Sequence, residues 1–128
     1  MERHIDQELK ELNKEILRMG AYTEEAIFKS VEALKNRDRA LSKSVIDNDI
    51  NIDKLELSID ERCIDLIARY QPMAKDLRLI TTGMKLNTEL ERISDIAVDI
   101  AQRVLEIADK PMLKPLVDIP KLTAIAQN

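Results

Sequence analysis

Three stretches of about thirty residues repeat apolar side chains at intervals of three and four, and only two short interruptions separate them. That spacing is the stripe of an amphipathic helix. The first stripe runs Ile5, Leu9, Leu12, Ile16, Met19, Tyr22 or Thr23, Ala26, Val31 and Leu34, and ends at the polar "KNRDR". Asp38 is suited to cap a second helix, whose stripe is Leu41, Val45, Ile52, Leu55, Ile59, Cys63 and Leu66, and which Pro72 stops. From about Met73 a third stripe passes through Leu79, Gly83, Leu86, Leu90, Ile93, Ala97, Ile100, Val104 and Ile107. At 1.5 Å per residue the second and third helices would be roughly 45–55 Å long, far more than a small globular core accommodates except by lengthwise packing. Short connections make successive helices antiparallel, so residues 1–109 are expected to form an all-α, antiparallel three-helix bundle, with Gly83 and Ala97 at close approaches. With 2% aromatic residues and two glycines, the composition favours long helices over sheets.

Beyond Asp109 the periodicity stops. Pro111 and Pro115 mark residues 110–118 as a connector, and Pro120 suits the first turn of a further helix over 119–128. That segment is too short to be stable alone, so it reads as the beginning of a fourth helix of a longer protein or as a tail docked on the bundle. The formal charge of −4 gives no basic field for nucleic acid, and a cation is the better-matched partner. Cys63 is the single cysteine, which rules out an internal disulfide and thiolate-rich zinc sites and points to a reducing compartment, with cytoplasm the default. No apolar run approaches the ~18 residues of a membrane span.

Catalytic machinery is hard to assemble. His4 is the sole imidazole, no Ser/His/Asp or Cys/His system is available, and Gly20 and Gly83 stand alone rather than in a phosphate loop. The carboxylates stand out instead. In "LERISDIAVDIAQRV", Glu91, Asp95 and Asp99 follow at intervals of four, and with Leu90 and Ala97 on the seam all three are expected on an outward ridge. The second helix repeats the pattern with Asp49/Asp53 and Glu56/Asp60, at positions flanking its seam. Like charges four apart cost about 0.2–0.5 kcal/mol per pair. Arg103 and Arg92 can answer Asp99 and Asp95, but nothing offsets the stack as a whole. Two readings stay open: a solvated acidic surface, or a site for hard, oxygen-seeking cations such as ferric iron, magnesium, manganese or calcium, with zinc through carboxylates.

The segment "RYQPMAKDLRLITTGMKLNTELERISDIAVDIA", with "HIDQELKELNKEILRMG" and "DNDINIDKLELSIDERCIDLIARYQP" before it, resembles the PhoU family of phosphate-uptake regulators. The resemblance covers residues 1–109, and the tail from Ile119 is similar to the start of a second repeat. It implies tandem three-helix bundles bearing an acidic Glu/Asp-x-x-x-Asp motif for multinuclear metal, iron or zinc first and magnesium or manganese as alternatives. The matching positions are Asp49, Asp53, Glu91 and Asp95. Asp99 falls where the family often has Asn. The resemblance further implies a cytoplasmic, nonenzymatic negative regulator that links a phosphate-specific ABC transporter to a sensor histidine kinase and self-associates. The competing expectation is an enzyme, a dimetal carboxylate oxidase or ferroxidase, although such sites place Glu-x-x-His motifs inside a bundle.

Overall fold

The computed structural model describes residues 3–108, which form three helices: α1 (His4–Asn36), α2 (Arg39–Tyr70) and α3 (Ala74–Ala108). The connector expected over 110–118 and the further helix expected over 119–128 lie outside the described residues. Each helix packs against the other two, with α2 antiparallel to α1 and α3, as the spacing predicts.

The helix ends follow from local chemistry. Asp6 accepts the Arg3 backbone N–H at 3.0 Å and closes the α1 N-terminus. Asp38 Oδ1 accepts the Leu41 N–H at 3.0 Å and caps α2, as its place in the sequence suggests. Both first helices end on a left-handed residue, Arg37 (φ 52°) and Gln71 (φ 44°), whose N–H groups return to Ala33 and Ile67. Pro72 follows and prevents continuation.

The core is built from lines of residues seven apart. Ile5, Leu12, Met19, Ala26 and Ala33 line α1, and Val45, Ile52, Ile59 and Leu66 line α2. On α3 the buried positions are Ile80, Asn87, Ser94 and Ala101 together with Gly83, Ala97 and Val104. Here the structure corrects the expected register. Leu79, Leu86 and Ile93, expected on the seam, are exposed by 51%, 47% and 40%, and the line one residue further round the helix is buried in their place. The same shift ends α1, where Ser30 and Ala33 are buried while Val31 and Leu34 lie outside. On α3 the line facing its neighbours carries mostly small residues, Gly83, Ser94, Ala97 and Ala101, so the helix approaches them closely there and the bulkier Leu79, Leu86 and Ile93 lie on its flank.

Cross-helix polar contacts fix the alignment. Arg62 bridges Glu15 and, at 3.4 Å, Glu8, and Ser58 Oγ donates to Glu15 at 3.0 Å, holding α1 against α2. Arg3 reaches Asp76 at 3.0 Å from α1 to α3. Gly83 is the tightest point: a Cβ there would lie 2.9 Å from Ile16 Cδ1. Because that atom ends a side chain that can rotate, Gly83→Ala should change stability by less than about 1 kcal/mol, the gain in helix propensity offsetting the crowding. Gly83→Leu should cost about 1–3 kcal/mol by overpacking. Denaturant unfolding of the two variants measures the difference.

Candidate metal centre

Asp49 and Glu56 sit seven residues apart on α2, on the same line as buried Ser42 and Cys63. This line faces α3, and two hydrogen bonds set how the helices meet. Ser94 Oγ donates to Asp49 Oδ1 at 3.1 Å, and Asn87 Nδ2 donates to the Glu56 carbonyl at 2.9 Å. Both donors are small polar residues buried on the α3 seam, and both contacts obey one antiparallel alignment, with seven residues on one helix matched by seven on the other. Glu91 lies one turn beyond Asn87, and Asp53 one turn beyond Asp49. Thus one carboxylate oxygen from each of Asp53, Glu56 and Glu91 falls within 4.8 Å of the others.

The rotated register also moves Glu91. Expected on an outward ridge, it is half-buried beside the seam, whereas Asp95 and Asp99 are exposed. Asp95 belongs to the cluster electrostatically, since its charge acts on Asp49, Glu56 and Glu91. Asp99 is not among the charges that act most strongly on these three. Arg92 turns back to Glu89 at 3.5 Å. Glu56, which the spacing paired only with Asp60, enters the cluster because it stands one heptad beyond Asp49.

Every strongly shifted carboxyl here moves in one direction. Burial, then the charges of Asp95 and Glu56, a hydrogen bond with Asp95 and the charge of Asp53 push Glu91 up to about 7. Burial and then Asp53, Asp60, Asp95 and Asp49 raise Glu56. Burial, Asp53 and Asp95 raise Asp49 against the opposing hydrogen bond from Ser94. The site therefore holds more negative charge than it can keep ionised, and a proton or a cation relieves it.

The donor set suits a cation. Three oxygens within 4.8 Å of one another lie no more than about 2.8 Å from a common point, so small side-chain adjustments bring all three to the roughly 2.0–2.6 Å metal–oxygen distances of hard divalent ions. Asn87 Oδ1, buried and without a hydrogen-bond partner one turn before Glu91, is a further unsatisfied oxygen beside the cluster. Soft or imidazole ligands lie elsewhere. His4 stands against Tyr70, ring centroids 6.4 Å apart, and Cys63 is fully buried, its thiol pushed up to about 11 first by burial and then by Asp60 and Glu15. A groove of about 510 Å³ between α1 and α3, lined by Leu9, Leu12, Ile16 and Leu79, involves none of the acidic cluster.

Comparison with known proteins agrees with this architecture. Residues 16–104 match the PhoU domain family. The chain is 41% identical over 121 residues to a phosphate-specific transport system accessory protein PhoU homolog of Aquifex aeolicus (strain VF5), covering 94% of this chain and 55% of the relative. It is 32% identical over 122 residues to PhoU homolog 2 of Thermotoga maritima, covering 95% and 52%. Against the accessory protein PhoU of Escherichia coli (strain K12) it is 39% identical over 99 residues, covering 77% and 41%. The chain thus spans about half the length of the curated relatives it matches.

The raised carboxyls bind protons more tightly in the folded chain than in the unfolded one. For Glu91 this contribution to stability is full below the ordinary Glu value of 4.5 and is lost as pH rises through about 7. In chelator-treated protein, Glu91→Gln should therefore melt above the parent at pH 8, with the gap closing by about pH 5. Thermal melts across that range measure it, and a pH-independent gap would contradict the assignment.

Proposed function

Because this chain belongs to the PhoU family, we propose that it serves a phosphate-specific transport system as an accessory protein, acting through protein contacts rather than catalysis and holding metal ions between α2 and α3. In this reading it is a cytoplasmic negative regulator, restraining an ABC phosphate transporter and the sensor histidine kinase of the phosphate response, and it self-associates. The match over residues 16–104 supports the transport assignment, and the relatives are named as accessory proteins. Among the described residues no helix is long and apolar enough to cross a membrane, so contact with a transporter would be made through the bundle's surface.

The convergence of Asp53, Glu56 and Glu91 from two helices supports the metal assignment. These three would hold one ion, and Asp49 and Asp95 stand beside them to share a second, which is how a multinuclear centre of iron or zinc, or alternatively magnesium or manganese, would arise. The cation supplies positive charge where the chain supplies none. A bound cation would displace the proton that burial and neighbouring negative charge hold on Glu91, and ligands from both α2 and α3 would hold the two helices together. An oxidase or ferroxidase is the weaker reading. Its usual histidine ligands have no counterpart in the cluster, whose carboxylates sit at the bundle's flank rather than on its axis.

Calorimetric titration of metal-free protein with manganese, iron or zinc should show binding with proton release near neutral pH. Asp53→Asn and Glu91→Gln should each weaken it by at least about tenfold, a loss of about 1.4 kcal/mol, while Asp99→Asn changes it by less than about threefold. Binding indifferent to Asp53→Asn would remove the metal assignment. For the regulatory role, deleting the gene should switch on a phosphate-starvation reporter in phosphate-rich medium. An unchanged reporter would contradict that role.

A further inference from the structure

The groove of about 510 Å³ between α1 and α3 has Leu9, Leu12, Asn13, Ile16 and Leu79 among its lining residues. The two helices are parallel and hold one register, with Ile16 beside Gly83 and Thr23 Oγ1 donating to the Leu90 carbonyl at 3.5 Å. The residues one and two heptads further along therefore continue the groove: Gly20 follows Asn13, and the exposed Leu86 and Ile93 follow Leu79. Gly20 lowers the α1 wall, since a Cβ added there would meet nothing within 4 Å. The rim on α3 is cationic. Lys75, Arg78 and Thr82 line a recess of about 200 Å³ that shares Leu79 with the groove, and Lys85 stands one heptad beyond Arg78. Among the described residues no ion pair engages Lys75, Arg78 or Lys85. On α1, by contrast, Asp6 is held by Arg3 at 2.7 Å and Lys14 by Glu11 at 3.5 Å.

We propose that this furrow docks an amphipathic helix of a partner protein, its apolar stripe on Leu79, Leu86 and Ile93 and its acidic edge against Lys75, Arg78 and Lys85. Action through protein contacts, the reading given above, is the premise, and the furrow supplies the place and the partner's chemistry. Apolar residues at intervals of three and four enter such a groove, and Gly20 lets the two backbones approach. From Leu79 to Ile93 the wall runs about 21 Å at 1.5 Å per residue, which an occupant of about four turns fills. Charge selects that occupant. The chain carries −4 as a whole, yet this rim presents three cations that the described residues leave unpaired, so carboxylates are drawn to it. The chain's own terminal segment lacks that chemistry: Ile119, Leu122 and Ile125 offer a stripe, but Lys121 is the single charge over 119–128. A second copy is matched no better, because its exposed line of Ile50, Leu57 and Ile64 is bordered by Lys54 between Asp47 and Glu61.

The probe is a stapled, fluorescein-labelled helical peptide of about 15 residues, with leucines at every third and fourth position and glutamates along one edge. Fluorescence anisotropy with the full chain should give a Kd below about 100 μM, and a twin with lysines on that edge should bind at least about tenfold more weakly. Arg78→Glu, Leu86→Glu and Gly20→Glu should each weaken binding by at least about tenfold, while Leu57→Glu, on the exposed face of α2, changes it by less than about threefold. Gly20→Glu separates docking from folding, since its Cβ enters open space and glutamate favours helix, so the variant should melt no lower than the parent. No binding of the glutamate-edged peptide, equal binding of its twin, or binding indifferent to Gly20→Glu would overturn the proposal. In the deletion strain, the returned gene should silence the phosphate-starvation reporter and the gene with Gly20→Glu should not. Silencing by both overturns the furrow and leaves the regulatory role standing. Silencing by neither removes that role, and the peptide then decides the furrow.

Discussion

The approach of α3 to α2 through small polar side chains is the contact on which the rest of the site depends. Asn87 and Ser94 occupy core positions where leucine would be ordinary, and each spends its donor on α2, one on the Glu56 carbonyl and one on the Asp49 carboxylate. A buried amide or hydroxyl without a partner is costly, so these two bonds penalise any other alignment of the helices. With the alignment fixed, Glu91 is carried to the edge of the seam, opposite Asp53 and Glu56. Gly83 does the equivalent work toward α1, leaving room for Ile16.

The acidic cluster follows from that approach and works against it. Three carboxyls are raised, each first by burial, and the neighbouring charges that act on them are all negative. The fold thus keeps a repulsive region at the junction of two helices, and protonation or cation binding stabilises that junction. This links site occupancy to the stiffness of the α2–α3 pair.

Much of this was legible in the sequence, for physical reasons that also mark where legibility ends. Helix boundaries depend on local chemistry, and Asp38 and Pro72 declare them. The α2 seam is marked by Val45, Ile52, Ile59 and Leu66, whose bulk coincides with burial. On α3 bulk and burial separate. Leu79, Leu86 and Ile93 repeat every seven residues as faithfully as Ile80, Asn87, Ser94 and Ala101, and periodicity alone favours the larger set. Choosing between adjacent lines needs the neighbouring helices, which no local pattern contains. The same gap governs the site. The four-residue spacing marked Asp49/Asp53, Glu56/Asp60 and Glu91/Asp95/Asp99 alike and the resemblance matched Asp49, Asp53, Glu91 and Asp95, but the entry of Glu56 and the standing of Asp99 outside the strongest interactions depend on the α2–α3 alignment.

The most direct measurement of the central claim is anomalous diffraction from crystals grown with manganese or zinc. An anomalous peak bounded by carboxylate oxygens of Asp53, Glu56 and Glu91 is expected, with any second peak on the side of Asp49 and Asp95. A cluster that stays free of metal at saturating ion, or peaks confined to carboxylates elsewhere on the bundle, would contradict it.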